Sequence, residues 1–173
     1  MVRKELLDFK LNIGEESIDC RPPFSVYSVA SGAKISTRGA ASATFTTNLY
    51  ADSVALSSKH AFILVTETPL KYEVLLNGER VGESDGESEN SYFELAGKLV
   101  SGNNELSFVF SGEDILPLGI YGKVEFIRTS GALIDKLYLT QNVEGDTAEL
   151  GITVTTVGSA EGVRAVARSC PPR

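Results

Sequence analysis

The residues of this sequence that could carry chemistry are mostly carboxylates, and their most compact group is Glu83, Asp85, Glu87 and Glu89. Such a group is usually part of a solvated loop that keeps a protein soluble. Asp85, Glu87 and Glu89 could also offer oxygen ligands to calcium, although their spacing is not that of a complete calcium-binding loop. The sequence favours the solvated loop over residues 82–90 and leaves the calcium site open.

Other reactive side chains are few. His60 is the only histidine, and without a histidine or cysteine partner nearby it is predicted to be a surface or packing residue. Cys20 and Cys170 have neither the spacing of a metal site nor that of a disulfide framework, which predicts two free thiols. No nucleophile elbow or phosphate-binding glycine loop is present. We therefore expect no catalytic residue, no metal and no cofactor in this chain.

Composition narrows the classes of partner. The 173 residues are 42% hydrophobic and 23% charged, which is typical of a globular protein with a sizeable core. A formal charge of -7 argues against nucleic acid and against an anionic membrane surface as partners. No apolar run approaches the ~20 residues of a membrane span, and residues 1–8 lack the apolar core of a signal peptide. A cytoplasmic location is expected.

The elements that must position these side chains are predicted to be strands, because hydrophobic residues alternate with polar ones along most of the chain. A continuous apolar run at residues 61–65 suits a central strand. Residues 72–76 lead into Asn77-Gly78, a strong hairpin signal, and into a partner strand at residues 79–81. A short helix is predicted at residues 25–30, and a loop at residues 31–42. Further strands are indicated by alternating apolar residues: Leu7, Phe9, Leu11 and Ile13; Tyr92, Phe93 and Leu95; Leu106, Phe108 and Phe110; Val124 and Phe126.

Even spacing of many short strands predicts an all-β protein with a β-sandwich or jelly-roll fold. Residues 129–131, Thr-Ser-Gly, are the best candidate for a boundary, giving domains at 1–130 and 131–173. Three more strands are indicated beyond it, around Leu137 and Leu139, around Ile152, and around Ala165. An immunoglobulin-like domain needs about seven strands in ~100 residues, so the second domain is incomplete or packs on the first.

Three segments, residues 74–82 (VLLNGERVG), 92–95 (YFEL) and 99–106 (LVSGNNEL), contain in this order a strand with an Asn-Gly turn, an aromatic strand and a Gly-x-Asn-x-Leu turn. This succession resembles the amino-terminal sugar-binding domain of family 2 glycoside hydrolases. Residues 118–126 (LGIYGKVEF) resemble the strand that closes the domain. Residues 134–139 resemble the first strand of the family's immunoglobulin-like second domain, and residues 18–29, with RPPFSVY at 21–27, look most like the β-mannosidase branch.

The resemblance implies a galactose-binding-domain-like β-sandwich followed by a partial immunoglobulin-like sandwich. It also implies a non-catalytic module, because the family's catalytic carboxylates lie on a barrel of ~250 residues for which this chain has no room. A parent protein would be an O-glycosyl hydrolase of the β-mannosidase, β-galactosidase or β-glucuronidase type. No pair of carboxylates suited to retaining hydrolysis stands out in the chain itself.

The same resemblance singles out Asp114 as a contact to sugar. Residues 113–117 (EDILP) take the place of the Trp-Asp-Trp-Gly-Pro segment of β-mannosidases, whose aspartate faces the sugar. Asp114 and Pro117 match, whereas Glu113 and Ile115 replace the tryptophans. Aromatic rings stack on sugars, and Tyr121 or Tyr92 is expected to substitute for the missing rings. The alternative is a loop that only connects two strands.

Two classes of function therefore stand side by side. The first is the carbohydrate-binding portion of a β-mannosidase-like hydrolase, whose partners are a weakly bound carbohydrate or the missing catalytic domain. The second is an interaction or structural sandwich that kept the fold and lost the sugar site, because a fold does not determine a function.

Overall fold

The computed structural model describes residues 1–145 and 147–158, most of which lie in strands. The elements are β1 (Val2–Glu5), β2 (Phe9–Ile13), β3 (Glu16–Cys20), β4 (Phe24–Ser25), α1 (Val26–Ala33), β5 (Ser42–Ala51), α2 (Ser53–Leu56), β6 (His60–Val65), β7 (Glu73–Leu76), β8 (Glu79–Glu83), β9 (Ser91–Glu94), β10 (Gly102–Ser111), β11 (Gly119–Ile120), β12 (Val124–Thr129), β13 (Leu133–Glu144) and β14 (Thr147–Val157). The chain divides into two compact units, Met1–Arg128 and Thr129–Arg173.

The first unit is built from two main sheets. A six-stranded sheet has the order β3-β2-β5-β10-β7-β8, and all its neighbouring strands are antiparallel. A four-stranded sheet has the order β1-β12-β6-β9, and β4 pairs with β11 in a short separate ladder. The all-β sandwich predicted from the alternating pattern is thus confirmed.

The core of this unit follows from the period-two pattern of the strands. Leu106, Phe108 and Phe110 of β10 are fully buried, as predicted, because they share the face that looks into the sandwich. Across the pair, Phe45 of β5 lies opposite Phe108, and its ring is stacked on Phe24 at 4.3 Å between ring centroids. These aromatic contacts fasten β4, and with it the start of α1, to the centre of the large sheet.

The β7–β8 hairpin forms where the Asn-Gly pair predicts it. Asn77 and Gly78 have φ angles of 52° and 83°, the left-handed values that this two-residue turn requires. The Asn77 side chain also reaches outside the hairpin: its Nδ2 donates to Asn104 Oδ1 at 3.0 Å, and its Oδ1 accepts from the Glu105 backbone N–H at 2.9 Å. One turn residue therefore fixes the hairpin and ties it to the start of β10.

Helix α1 is longer than the sequence pattern predicts, since it continues to Ala33, inside the segment expected to be a loop. Ser25 caps its start, because the Ser25 hydroxyl accepts from the Ser28 N–H at 3.2 Å while the Ser28 hydroxyl accepts from the Ser25 N–H. Lys34 ends it in a left-handed conformation, with φ of 59°. Residues 31–33, whose composition predicted a loop, instead form the last part of the helix.

The pattern did not predict β1, β3 or α2. Helix α2 is only four residues long, too short for periodicity to reveal it. Its cap is Asp52, whose Oδ1 accepts from the Ala55 N–H at 2.7 Å and from Arg128 at 2.9 Å. The Ala55 hydrogen bond, followed by the Arg128 charge, holds the pKa of Asp52 below its usual value.

The described part of the second unit is one long hairpin, β13–β14. Residues that pair directly across the two strands share a face, and one face is almost wholly apolar. Its members are exposed: Leu137, Leu139, Val143, Leu150 and Ile152. The predicted strand around Ala165 lies outside the described residues.

This hairpin is predicted to open far more often than the first unit, because two strands with an uncovered apolar face are marginally stable in water. The backbone amides of Leu150 and Ile152 should exchange with solvent at least about a hundredfold faster than those of Phe45 and Phe108 in the six-stranded sheet. Hydrogen exchange followed by NMR on the 173-residue chain measures both sets in one sample. Equal protection of the two sets would refute the prediction and would mean that the apolar face is covered in solution.

Candidate functional site

The loop that carries Asp114 joins β10 to β11 at one end of the sandwich. Ser111, the last residue of β10, pairs with Ser42, the first of β5, so this loop meets the connection that leaves α1. The Gly112 N–H donates to the Ala41 carbonyl at 3.1 Å and joins the two segments. Residues 37–41 and 112–116 together line a cavity of about 410 Å³. That volume lies within the range of small-molecule sites.

Asp114 is exposed on this loop, and half of its carboxylate has a structural role. Its Oδ1 accepts from the Leu116 backbone N–H at 3.0 Å, which is the local turn that aspartate commonly makes. Within the described residues, Oδ2 has no hydrogen-bond partner in the structure. One carboxylate oxygen therefore shapes the loop, and the other is available to a hydroxyl group at the cavity.

Ile115, which stands where the resemblance expects an aromatic residue, is buried in the core of the sandwich. Ile115 is also among the residues that line the cavity, but it is aliphatic. Glu113, at the other such position, is exposed and lines the cavity. An aromatic face for a ligand must therefore come from another part of the first unit.

Tyr121 is anchored to the same loop. Its hydroxyl donates to the Pro117 carbonyl, and its backbone N–H donates to Thr68 Oγ1 at 3.1 Å. The ring is 41% exposed. Tyr121 follows β11 and is hydrogen-bonded to the loop that carries Asp114, but it is not among the residues that line the cavity.

Tyr92 lies in a different setting. It is part of β9, where it pairs with Leu64 of β6 in the four-stranded sheet. Its ring meets the edge of Phe62 at 6.4 Å between centroids. Of the two tyrosines proposed to replace the missing tryptophans, Tyr121 is hydrogen-bonded to the Asp114 loop, whereas Tyr92 belongs to β9.

The first turn of α1 holds this loop, a contact that the sequence analysis did not predict. The Val26 N–H donates to the Leu118 carbonyl at 2.8 Å, and the Tyr27 N–H donates to the Leu116 carbonyl at 3.0 Å. The first N–H groups of a helix have no partner inside the helix, so here the loop satisfies them. The signal that could have found this contact is the RPPFSVY segment, which the resemblance had already singled out.

Two glycines allow the close packing around the loop. A Cβ atom on Gly119 would lie 2.2 Å from the Phe24 carbonyl oxygen, and one on Gly122 would lie 2.3 Å from the Thr66 carbonyl oxygen. Both distances are far below contact, so only glycine fits at either position. The packing around Tyr121 therefore requires glycine at both ends of the Gly-Ile-Tyr-Gly sequence.

A wider cavity of about 560 Å³ lies elsewhere on the first unit, beside Tyr72, Glu73 and Asp85. Burial raises the pKa of Tyr72 to about 12, and its ring packs against Phe110 at 5.0 Å. None of the residues predicted to contact sugar lines this cavity. We therefore place the candidate site at the smaller cavity, where Asp114 lies.

The acidic loop holds itself together through Asp85. Its Oδ1 accepts from the Glu87 and Ser88 N–H groups, each at 2.9 Å, and these bonds hold the pKa of Asp85 below its usual value. Over residues 1–145 and 147–158, no group of three or more His, Cys, Asp or Glu side chains is arranged to hold a metal ion. The Asp85 carboxylate is thus used by its own loop.

The Cys20 thiol is half-buried in β3, and burial raises its pKa to about 11. Cys20 is a free cysteine, whereas Cys170 lies outside the described residues. A thiol with this pKa is protonated at neutral pH and is a poor nucleophile.

No helix in the described part of the chain is long and apolar enough to cross a membrane.

No protein-family model and no curated protein matches the sequence. Solved structures do match. The β-D-mannosidase from Dictyoglomus thermophilum aligns with a TM-score of 0.72 and 14% identity, over 89% of this chain and 26% of that one. A β-glucuronidase from an uncultured Clostridium sp. aligns with a TM-score of 0.69 and 13% identity, over 91% of this chain and 34% of that one. The exo-chitosanase from Amycolatopsis orientalis aligns with a TM-score of 0.68 and 13% identity, over 90% of this chain and 24% of that one.

The chain thus spans between a quarter and a third of the length of these glycosidases. At 13–14% identity the likeness concerns the fold alone. The resemblance to family 2 glycoside hydrolases is therefore confirmed at the level of the fold: the chain shares the fold of a part of these glycosidases.

Proposed function

We propose that this chain is the non-catalytic, carbohydrate-binding portion of a β-mannosidase-like glycoside hydrolase of family 2, and that the catalytic domain is its partner. The shared fold and the partial coverage of the three glycosidases support this proposal. A (β/α)8 barrel of ~250 residues, which would carry the catalytic carboxylates, cannot be formed by the 173 residues of this chain.

The observation that carries the carbohydrate-binding role is the placement of Asp114. Its loop is fixed from both sides, by the α1 amides and by the Tyr121 hydroxyl, and it presents one carboxylate oxygen at a cavity. A carboxylate is a strong acceptor for sugar hydroxyl groups. Holding the loop in place before a ligand arrives reduces the entropy lost on binding.

The expected affinity is low. One hydrogen bond between a hydroxyl and a carboxylate contributes roughly 1.5–3 kcal/mol, whereas millimolar affinity needs about 4 kcal/mol. The chain by itself should therefore bind mannose or mannobiose with a dissociation constant of several millimolar or weaker. In the complete hydrolase this loop would add to the contacts that a catalytic domain makes.

An NMR titration of the full chain with mannose and mannobiose tests the proposal. We expect amide shifts confined to residues 112–122 that do not saturate below several millimolar sugar. In Asp114→Asn the side-chain oxygen can still accept from the Leu116 N–H, so the loop shape is kept while the charge is lost, and the shifts per unit of sugar should fall about fivefold. Asp19→Asn, an exposed aspartate on β3, is the matched control and should leave the shifts unchanged.

Each other outcome overturns part of the proposal. Saturation at micromolar sugar would show a complete lectin site rather than one portion of a larger site. No shift in residues 112–122 at any sugar concentration would favour the second function, an interaction or structural module. That alternative has an observation in its support, since one Asp114 oxygen already serves the turn to Leu116.

A further inference from the structure

We draw no further inference here: the strongest candidate, the exposed apolar face of the β13–β14 hairpin formed by Leu137, Leu139, Val143, Leu150 and Ile152, is an unpartnered sheet face, and nothing in the part of the chain that the structure describes shows what covers it.

Discussion

Replacing Asn104 by alanine is expected to destabilise the first unit by about 3–5 kcal/mol, one of the two largest effects predicted for a single substitution in this chain. Asn104 is fully buried, and its side chain satisfies several groups at once. Its Nδ2 donates to the carbonyls of Val100 at 2.8 Å and Gly102 at 3.1 Å, and its Oδ1 accepts from the Val100 N–H at 2.9 Å. Alanine would leave these backbone groups without partners and open a cavity, which are separate costs.

Urea denaturation of the full chain measures this difference, with Asn103→Ala as the matched control. Asn103 is the neighbouring asparagine in β10, and its side chain is exposed, so its removal should change the free energy of unfolding by less than about 0.5 kcal/mol. A loss below about 1 kcal/mol in Asn104→Ala would show that the buried amide is not a main support of this end of the sandwich.

The contact between Asn104 and Asn77 can be measured separately. Asn77→Gly keeps a residue suited to φ of 52° and removes only the side chain, so the turn itself is retained. In a double-mutant cycle we expect a coupling energy of about 0.5–3 kcal/mol between the two positions, since they share a direct hydrogen bond. Additive effects would mean that the hairpin and β10 are stabilised independently.

Gly119→Ala is the second substitution with a large expected effect, at least about 3 kcal/mol of destabilisation. The new Cβ would meet the Phe24 carbonyl oxygen at 2.2 Å and the Ser25 Cα at 2.6 Å, so the backbones of β4 and β11 must separate. Overpacking usually costs about 1–3 kcal/mol, and it costs more when backbone rather than a flexible side chain has to move. Separation would also weaken the hydrogen bonds from Val26 and Tyr27 to the loop.

The control for this prediction is Gly32→Ala. Gly32 lies in α1 with no atom within 4 Å of the added Cβ, so alanine should stabilise the protein by about 0.5–1 kcal/mol through its helix propensity. Thermal unfolding of both variants measures the expected loss of stability in Gly119→Ala and the expected gain in Gly32→Ala. Amide exchange at Tyr27 reports whether the hydrogen bond to the loop has been lost. A Gly119→Ala protein as stable as the parent would show that β4 and β11 can shift without cost.

The sequence by itself determined the elements whose signals are local. Alternating hydrophobic residues predicted the strand around Phe108, Asn77-Gly78 predicted the hairpin, and residues 25–30 predicted the helix. These predictions succeed because the period of a strand, a left-handed turn and a helix cap each depend on neighbouring residues. The order of the motifs also identified the fold, which the solved structures confirm.

The tertiary structure decided which distant residues share a site. Asn104 reads as a turn residue in the sequence, yet β10 already begins at Gly102 and the Asn104 amide is buried where three backbone segments meet. Tyr27 gives no sign of facing Leu116, which lies far away in the chain, because the contact exists only once β4 pairs with β11. Such contacts follow from the order of strands and from the close approach at Gly119, and local sequence pattern contains neither. Periodicity tells which face of an element is buried, whereas the packing of elements decides what that face meets.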